Sequence, residues 1–329
     1  MISKIGVLIF LLPLCCISQT FVGRVIAKVS QEPLETVAVY FDNTTIGSTT
    51  NENGEFSITY SDAIQSTLVI SYLGYEKVFI TDYRTKNDVT IHLKEAVNEL
   101  DVVFIDADDG MPRAQKLKWF RNEFLGRSEN AKSCKILNEK DLKFRYNKRD
   151  STLIAWSNKP VLVKNKKLQY ELTFDIIDFE IVIGNWTATS VIYTGTSFYK
   201  ELNKAGRNRV LENRKQAYDG SVQHFMRALY NKELEEKGYI FGKEGFKVNP
   251  YDFFSFYDTD AYGNKTVILK EKLDIFYKDL TESVIETSLV EFKVDKYGNY
   301  SPIPDVLFGG NMGSQRLGDS LPLDYELNN

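Results

Sequence analysis

The sequence predicts a mainly β protein: an N-terminal seven-stranded β-sandwich followed by an α+β region of mixed antiparallel sheet and helix. Three observations carry this. Residues 21–94 are short alternating apolar runs punctuated by Gly, Asn, Asp and Pro, the pattern of an all-β sandwich. Between Glu95 and Pro112 the composition turns polar and ends in D-A-D-D-G-M-P, which marks a domain boundary. Beyond it, two stretches with helical spacing interrupt runs of period-two alternation, the signature of helices set against half-buried strands.

The sandwich strands are expected at residues 21–27, 37–41, 44–49, 55–60, 67–72, 77–80 and 89–93, all antiparallel in a Greek-key-like arrangement. Asn53-Gly54 is the strongest hairpin signal in the chain, because both residues tolerate positive φ. Gly74 marks a second tight turn. The wording of these blocks matters as much as their spacing. F-V-G-R-V-I, P-L-E-T-V-A-V-Y-F, T-T-I-G-S-T-T-N-E-N-G-E-F-S-I and L-V-I-S-Y-L-G-Y, in that order, resemble the carboxypeptidase regulatory-like domain, a small transthyretin-like sandwich. The resemblance implies an accessory module found on many exported proteins, and no reaction.

In the second region Leu117, Phe120 and Phe124 fall at helical spacing, with Gly126 as C-cap. Ser128 is placed to cap a short helix running through Cys134. D-L-K-F-R-Y, T-L-I-A-W, P-V-L-V, L-Q-Y-E-L-T-F-D-I and T-S-V-I-Y read as strands of a meander, and residues 209–237 as helix interrupted near Gly220. The tail returns to strands at K-T-V-I-L-K and L-V-E-F-K-V-D-K-Y-G-N-Y, the latter a hairpin turning at residues 297–299. The expected organisation is therefore a signal segment at 1–19, the sandwich at 20–97, a linker or edge strand at 98–112 containing D-V-V-F-I, and the α+β region at 113–329.

Lys4 followed by an apolar run over residues 5–16 has the length of a signal peptide and is too short to span a bilayer. W-F-R-N-E-F-L-G, C-K-I-L-N, the segment R-K-Q-A-Y-D-G-S-V-Q-H-F-M-R-A-L and the late L-P-L-D-Y resemble a family of exported Bacteroidota proteins that carry the sandwich at their N-terminus. That resemblance favours cleavage between Gln19 and Thr20, and a periplasmic, outer-membrane-associated or surface location. Leu14 before Cys15, and Cys15 before Cys16, fit a lipobox poorly, so an unlipidated N-terminus is expected. Cys134 then stands as a lone cysteine, which cannot form an intramolecular disulfide.

Several chemistries are excluded. A net charge of −4, one unit more acidic once Lys4 is lost, argues against nucleic acid or anionic lipid as main partner. A zinc carboxypeptidase needs His and carboxylate ligands in motif spacing. The chain has two histidines, His92 and His224, and no H-E-x-x-H; its one H-x-x-E spacing, His92 to Glu95, closes an expected sandwich strand and has no second histidine nearby in sequence to complete a ligand set. Asp106, Asp108 and Asp109, and Asp258, Asp260 and Gly263, fail the calcium-loop pattern, the second set at Tyr262 and Leu269. No phosphate loop or dinucleotide fingerprint occurs, and no cofactor or metal is expected.

The densest constellation is Arg214, Tyr218, Ser221, His224 and Arg227, a candidate ligand or partner site. Val222, Phe225, Met226 and Leu229 share one helix face, while Ser221 is placed to accept from the backbone N–H of His224. The alternative is a Ser221–His224 nucleophile pair oriented by Asp219. A serine engaged as a cap is a poor nucleophile, and no G-x-S-x-G elbow surrounds it. The expectation is a non-enzymatic envelope protein whose sandwich is an interaction or scaffold module, with an envelope protein or glycan as partner. The alternative is a hydrolase (esterase, peptidase or glycosidase) with its site in the C-terminal region. Neither partner identity nor oligomeric state is legible.

Overall fold

A computed structural model describes residues 18–61, 66–86, 88–96, 109–257, 259–260, 262–278 and 281–325. The apolar leader, D-V-V-F-I, Asp106, Asp108 and Asp258 lie outside the described residues. Seven strands form the N-terminal sandwich: β1 Ser18–Ala27, β2 Ala38–Phe41, β3 Gly47–Thr49, β4 Glu55–Ser61, β5 Leu68–Ser71, β6 Val78–Ile80 and β7 Val89–Leu93. They make two sheets, β4-β1-β7 and β3-β2-β5-β6. Alternation does the work in β1: Phe21 and Val25 enter the core while Val22 and Arg24 face solvent, because successive side chains leave opposite faces.

One expectation fails here. The sandwich is not wholly antiparallel, since β7 runs parallel to β1 from Gly23↔Val89 to Ala27↔Leu93. A parallel pair needs a crossover rather than a hairpin. The chain supplies one from β6, in the other sheet, through a short 3-10 turn at Tyr83–Thr85. Tyr83 anchors it, edge-on to Phe41 and Tyr60 at 4.9 and 5.3 Å between ring centroids. Gly23 permits the close pairing, because a Cβ there would lie 2.6 Å from the Val89 carbonyl oxygen.

The second region opens with α1 (Arg113–Phe124) and α2 (Glu129–Lys132). Ser128 Oγ caps α2 by accepting from Ala131 N–H. The helix stops earlier than expected, and Cys134 begins a strand. A sheet follows from β8 Cys134–Ile136, β9 Lys143–Asn147, β10 Thr152–Trp156, β11 Val161–Asn165, β12 Tyr170–Ile183 and β13 Ala188–Glu201. The long β12–β13 hairpin is its spine: β11 pairs with the first half of β12, β10 with the second, and β9 with β10. Phe120 and Phe124 of α1, with Leu317 and Leu321 from the tail, close one face.

β12 changes phase midway. Tyr170, Leu172, Phe174 and Ile176 face the core, then Phe179 and Ile181 do. The register shifts between Ile176 and Asp178, leaving Ile177 as an extra, exposed residue. If Ile177 took an ordinary place in the ladder, Phe179 and Ile181 would turn to solvent.

Beyond it come α3 (Asn208–Tyr218) and α4 (Val222–Asn231), separated at Gly220, whose φ is +73°. Helix ends at Asn231 rather than continuing to 237, because Lys232 adopts the left-handed conformation. A third core then forms among α4, the sheet β15-β14-β18-β19-β22 and the sheet β16-β17-β20-β21. Their strands are β14 Tyr239–Lys243, β15 Phe246–Val248, β16 Phe254–Phe256, β17 Lys265–Leu269, β18 Leu273–Tyr277, β19 Thr281–Thr287, β20 Phe292–Val294, β21 Tyr300–Ser301 and β22 Val306–Gly309, with α5 (Gly310–Ser314) beside β19. Among the described residues no helix is long and apolar enough to cross a membrane.

Candidate functional site

Val222, Phe225, Met226 and Leu229 pack α4 onto the third core. Ser221 Oγ accepts from His224 N–H at 3.1 Å, so its oxygen is held at the helix N-terminus. His224 is buried, at 7% exposure, with Tyr218, Tyr239 and Tyr277 around its ring at 4.9, 5.4 and 5.5 Å between centroids. Its Nδ1 lies 3.2 Å from Gly220 N–H and 2.9 Å from the Tyr239 hydroxyl. A backbone N–H can only donate, so Nδ1 accepts and the ring proton sits on Nε2. Burial lowers the His224 pKa to about 4, with the nearby Asp219 carboxylate opposing. The imidazole is neutral at physiological pH.

Arg227 ties the knot. Nε donates to Tyr297 O at 2.9 Å, Nη1 to the Tyr218 hydroxyl at 3.1 Å and to Tyr325 O at 3.0 Å, and Nη2 to Leu323 O at 2.9 Å. One guanidinium thereby joins α3, α4, the turn at 297 and the C-terminal segment. Arg214 stands apart from the other four. It donates to Leu168 O and Glu201 Oε1 and lies 3.8 Å from the Tyr170 ring centroid, fastening α3 to the first half of the hairpin. The structure thus brings Tyr218, Ser221, His224 and Arg227 together in a largely buried cluster in which Ser221 Oγ, His224 Nδ1 and the Arg227 guanidinium bind the protein itself.

Concave, solvent-facing chemistry lies elsewhere. The sheet face opposite α1 carries a cavity of about 490 Å³ lined by Asp109, Arg145, Asn147, Lys148, Asp150, Thr152, Ile154 and Glu180, with Tyr146 at its side. Its floor is a cross-strand row, Arg145↔Ile154↔Glu180, which Ile192 continues outside the lining. Asp109 forms one wall, accepting from Tyr146 N–H at 3.0 Å and from Lys116 Nζ at 2.5 Å. Asp150 accepts from Asn147 Nδ2 and Thr152 N–H. Both charge signs, amide donors and one apolar residue converge, a mixture suited to hydrogen-bonding a polar ligand. Sequence reading missed this face. Its residues are the polar half of each strand's alternation, which taken strand by strand reads as ordinary solvent-facing surface. Among the described residues no group of three His, Cys, Asp or Glu is placed to hold a metal ion. Cys134 is half-buried, and burial pushes its thiol up to about 12, which keeps it protonated and unreactive.

Residues 21–105 match the family model of the CarboxypepD_reg-like domain. The N-terminal sandwich is a carboxypeptidase regulatory-like domain. No curated protein matches the chain. This regulatory-like domain docks on the first half of the long hairpin. Tyr40 lies 3.2 Å from Thr196 Oγ1 through its hydroxyl, and its ring lies tilted against Phe198 at 5.3 Å between centroids. Lys77 Nζ sits 2.7 Å from Asp175 Oδ1. Asn43 N–H donates to Ser197 O, Ser197 N–H to Asp42 Oδ1 (2.7 Å each), and Tyr199 N–H to Thr44 O at 2.9 Å. Thr45 N–H donates to Asp324 Oδ1, and Leu323 N–H to Asn43 O. Asp324 and Leu323 belong to the same segment that Arg227 grips, so the knot on α4 and the domain junction share one piece of chain. Burial raises the Asp42 pKa to about 6, and the Asp175 charge adds to it, against the backbone N–H bonds it accepts.

Proposed function

We propose that this chain is an exported cell-envelope protein with a non-catalytic binding role. In this reading the regulatory-like domain is a scaffold seated on the hairpin, and the polar cavity on the neighbouring open sheet face receives an envelope protein or glycan. One observation carries it: in Ser221 and His224, the pair best suited to hydrolysis, the serine oxygen is engaged as a helix cap and the imidazole Nδ1 by Gly220 and Tyr239. A general base must reach its substrate and titrate near working pH, and a buried imidazole with a pKa of about 4 does neither. The leader-like N-terminus supports export. A mature chain starting at Thr20 would forgo the two outermost β1–β4 pairs, Ser18↔Ser61 and Gln19↔Tyr60, and keep the rest.

The test has two arms. Purified protein is assayed on ester, peptide and glycoside reporters, and a photo-crosslinker placed at Asn147 is used in envelope fractions. Expected are no turnover dependent on His224, a loss of about 1 kcal/mol of stability in Ser221→Ala, and adducts from Asn147 that Arg145→Glu with Lys148→Glu diminishes. Turnover that His224→Ala removes at unchanged melting temperature would replace this reading with the hydrolase. Mass spectrometry of the envelope form checks the export proposal: Thr20 is the expected first residue, and a diacylglyceryl group on Cys15 or Cys16 would make the protein membrane-anchored.

A further inference from the structure

We infer that the outer edge of β13, over residues 190–195, is an interface at which two copies of this chain pair strand to strand, antiparallel, joining two hairpins into one sheet. This goes beyond the binding role proposed above and does not depend on it. From Ile181 to Tyr199 the sequence holds no charged residue and no proline. Those are the devices by which soluble proteins protect an exposed strand edge. The opposite end of the sheet has them. Strand β9 carries Lys143 and Arg145, with Lys148 just beyond, and its outward Tyr146 N–H is occupied by the Asp109 carboxylate.

The edge of β13 is already used as a pairing surface where the sandwich reaches it. Ser197 N–H, Ser197 O and Tyr199 N–H point away from β12 and bind Asp42, Asn43 and Thr44, with Thr44↔Phe198 forming a parallel bridge. In an antiparallel ladder alternate residues turn their backbone groups to the same side. The bulge at Ile177 belongs to β12, and the second register shift leaves only Thr189 of β13 unpaired, so β13 keeps its phase between Val191 and Ser197. Val191, Tyr193 and Gly195 therefore present N–H and C=O groups on the side where Ser197 and Tyr199 are paired. The segment that pairs them ends at Thr45, so the template continues past its occupant.

A second copy is the partner that this edge fits. An uncharged strand of Thr, Val, Ile and Tyr pairs with itself without setting like charges opposite each other. Two-fold pairing also covers both edges in one step. The flanks suit burial too: Ile192 is 52% exposed beside the edge, and Trp186 at the hairpin tip is 90% exposed.

Sedimentation velocity on the full chain from about 1 to about 100 μM, a range that brackets ordinary homodimer affinities, tests this. Two variants accompany it. Val191→Pro deletes an outward N–H that no internal ladder bond uses. Ser190→Lys with Ile192→Lys places charges on the exposed face of the strand. The expected result is a concentration-dependent dimer whose dissociation constant weakens at least about tenfold in the lysine variant, with circular dichroism and melting temperature retained. Amide exchange at Val191, Tyr193 and Gly195 should slow as concentration rises. A monomer throughout the range, including one that instead binds a strand of another protein, overturns the inference. So does a dimer of unchanged affinity in the lysine variant, which decides the matter if Val191→Pro does not fold.

Discussion

The two halves of the β12–β13 hairpin have the same backbone and opposite fates. In the first half both faces are covered: Leu172 and Phe174 enter the α1 core, while Asp175, Thr196 and Phe198 meet Lys77 and Tyr40 of the regulatory-like domain. In the second half Phe179 and Ile181 are buried alike, but Glu180 and Ile192 on the reverse face stay open to solvent. Strand alternation secures one face in each half. Whether the other is closed depends on partners contributed from far away in sequence. The polar cavity and the unguarded edge both belong to the half that received none, so binding capacity here is what docking left uncovered.

The largest expected effect comes from breaking the boundary between the halves. Deleting Ile177 together with Asp178 removes the bulge and one ladder residue as well, so the second half changes phase against an unaltered β13, turning Phe179 and Ile181 outward and Glu180 into the core. Complete exchange of a buried face is not survivable. The deletion should lose the cooperative unfolding transition seen by denaturant titration, and a two-state transition of near wild-type stability would show that the phase of β12 does not set the core.

A medium effect is expected from pH. Asp42, which the sandwich sets against the covered half of the hairpin, and Asp295, buried in the turn that Arg227 grips, both have pKa values raised to about 6 by burial. An acid with a raised folded pKa binds more protons folded than unfolded. Its contribution is favourable below about pH 4 and is lost as pH rises to 6. His224 works the other way: its depressed pKa gives stability that is complete above about pH 6.5 and lost on acidification toward 4. The two trends oppose each other across the same window. Asp42→Asn should expose the histidine trend, with stability rising from pH 4 to 6.5 on the order of 1–2 kcal/mol more steeply than wild type. His224→Gln should tilt the profile toward loss with rising pH. Parallel profiles for wild type and both variants would show that neither group is linked to folding.

The smallest effects compare the halves directly. Asp175→Asn removes the charge partner of the Lys77 ammonium and should cost about 1–2 kcal/mol. Asp178→Asn, in the open half, alters only an exposed bond from Thr194 and should stay within about 0.5 kcal/mol. Equal costs would mean that docking adds nothing at Asp175.

Much of this fold was legible before any coordinates. Seven sandwich strands, the helix around Phe120 and Phe124, the break at Gly220 and the cap at Ser221 all follow from rules acting over a few residues: alternation, punctuation, positive φ and side-chain capping. The phase change in Y-E-L-T-F-D-I-I-D-F-E-I-V-I was also present in the letters, since apolar positions step by two up to Ile176 and resume one residue late at Phe179. Tertiary structure alone decided the rest. The parallel course of β7 depends on a crossover between sheets, and local sequence does not encode which way a returning strand will run. The inwardness of His224 depends on three tyrosines drawn from α3, β14 and β18, none within helical reach of it. The cavity depends on which polar face the sandwich leaves bare. Local sequence determined what each element is and which of its faces is apolar, because those are properties of neighbouring residues. Only the assembled chain decided which polar face remains open, because that is set by contacts between residues more than a hundred positions apart, such as Tyr40 with Thr196.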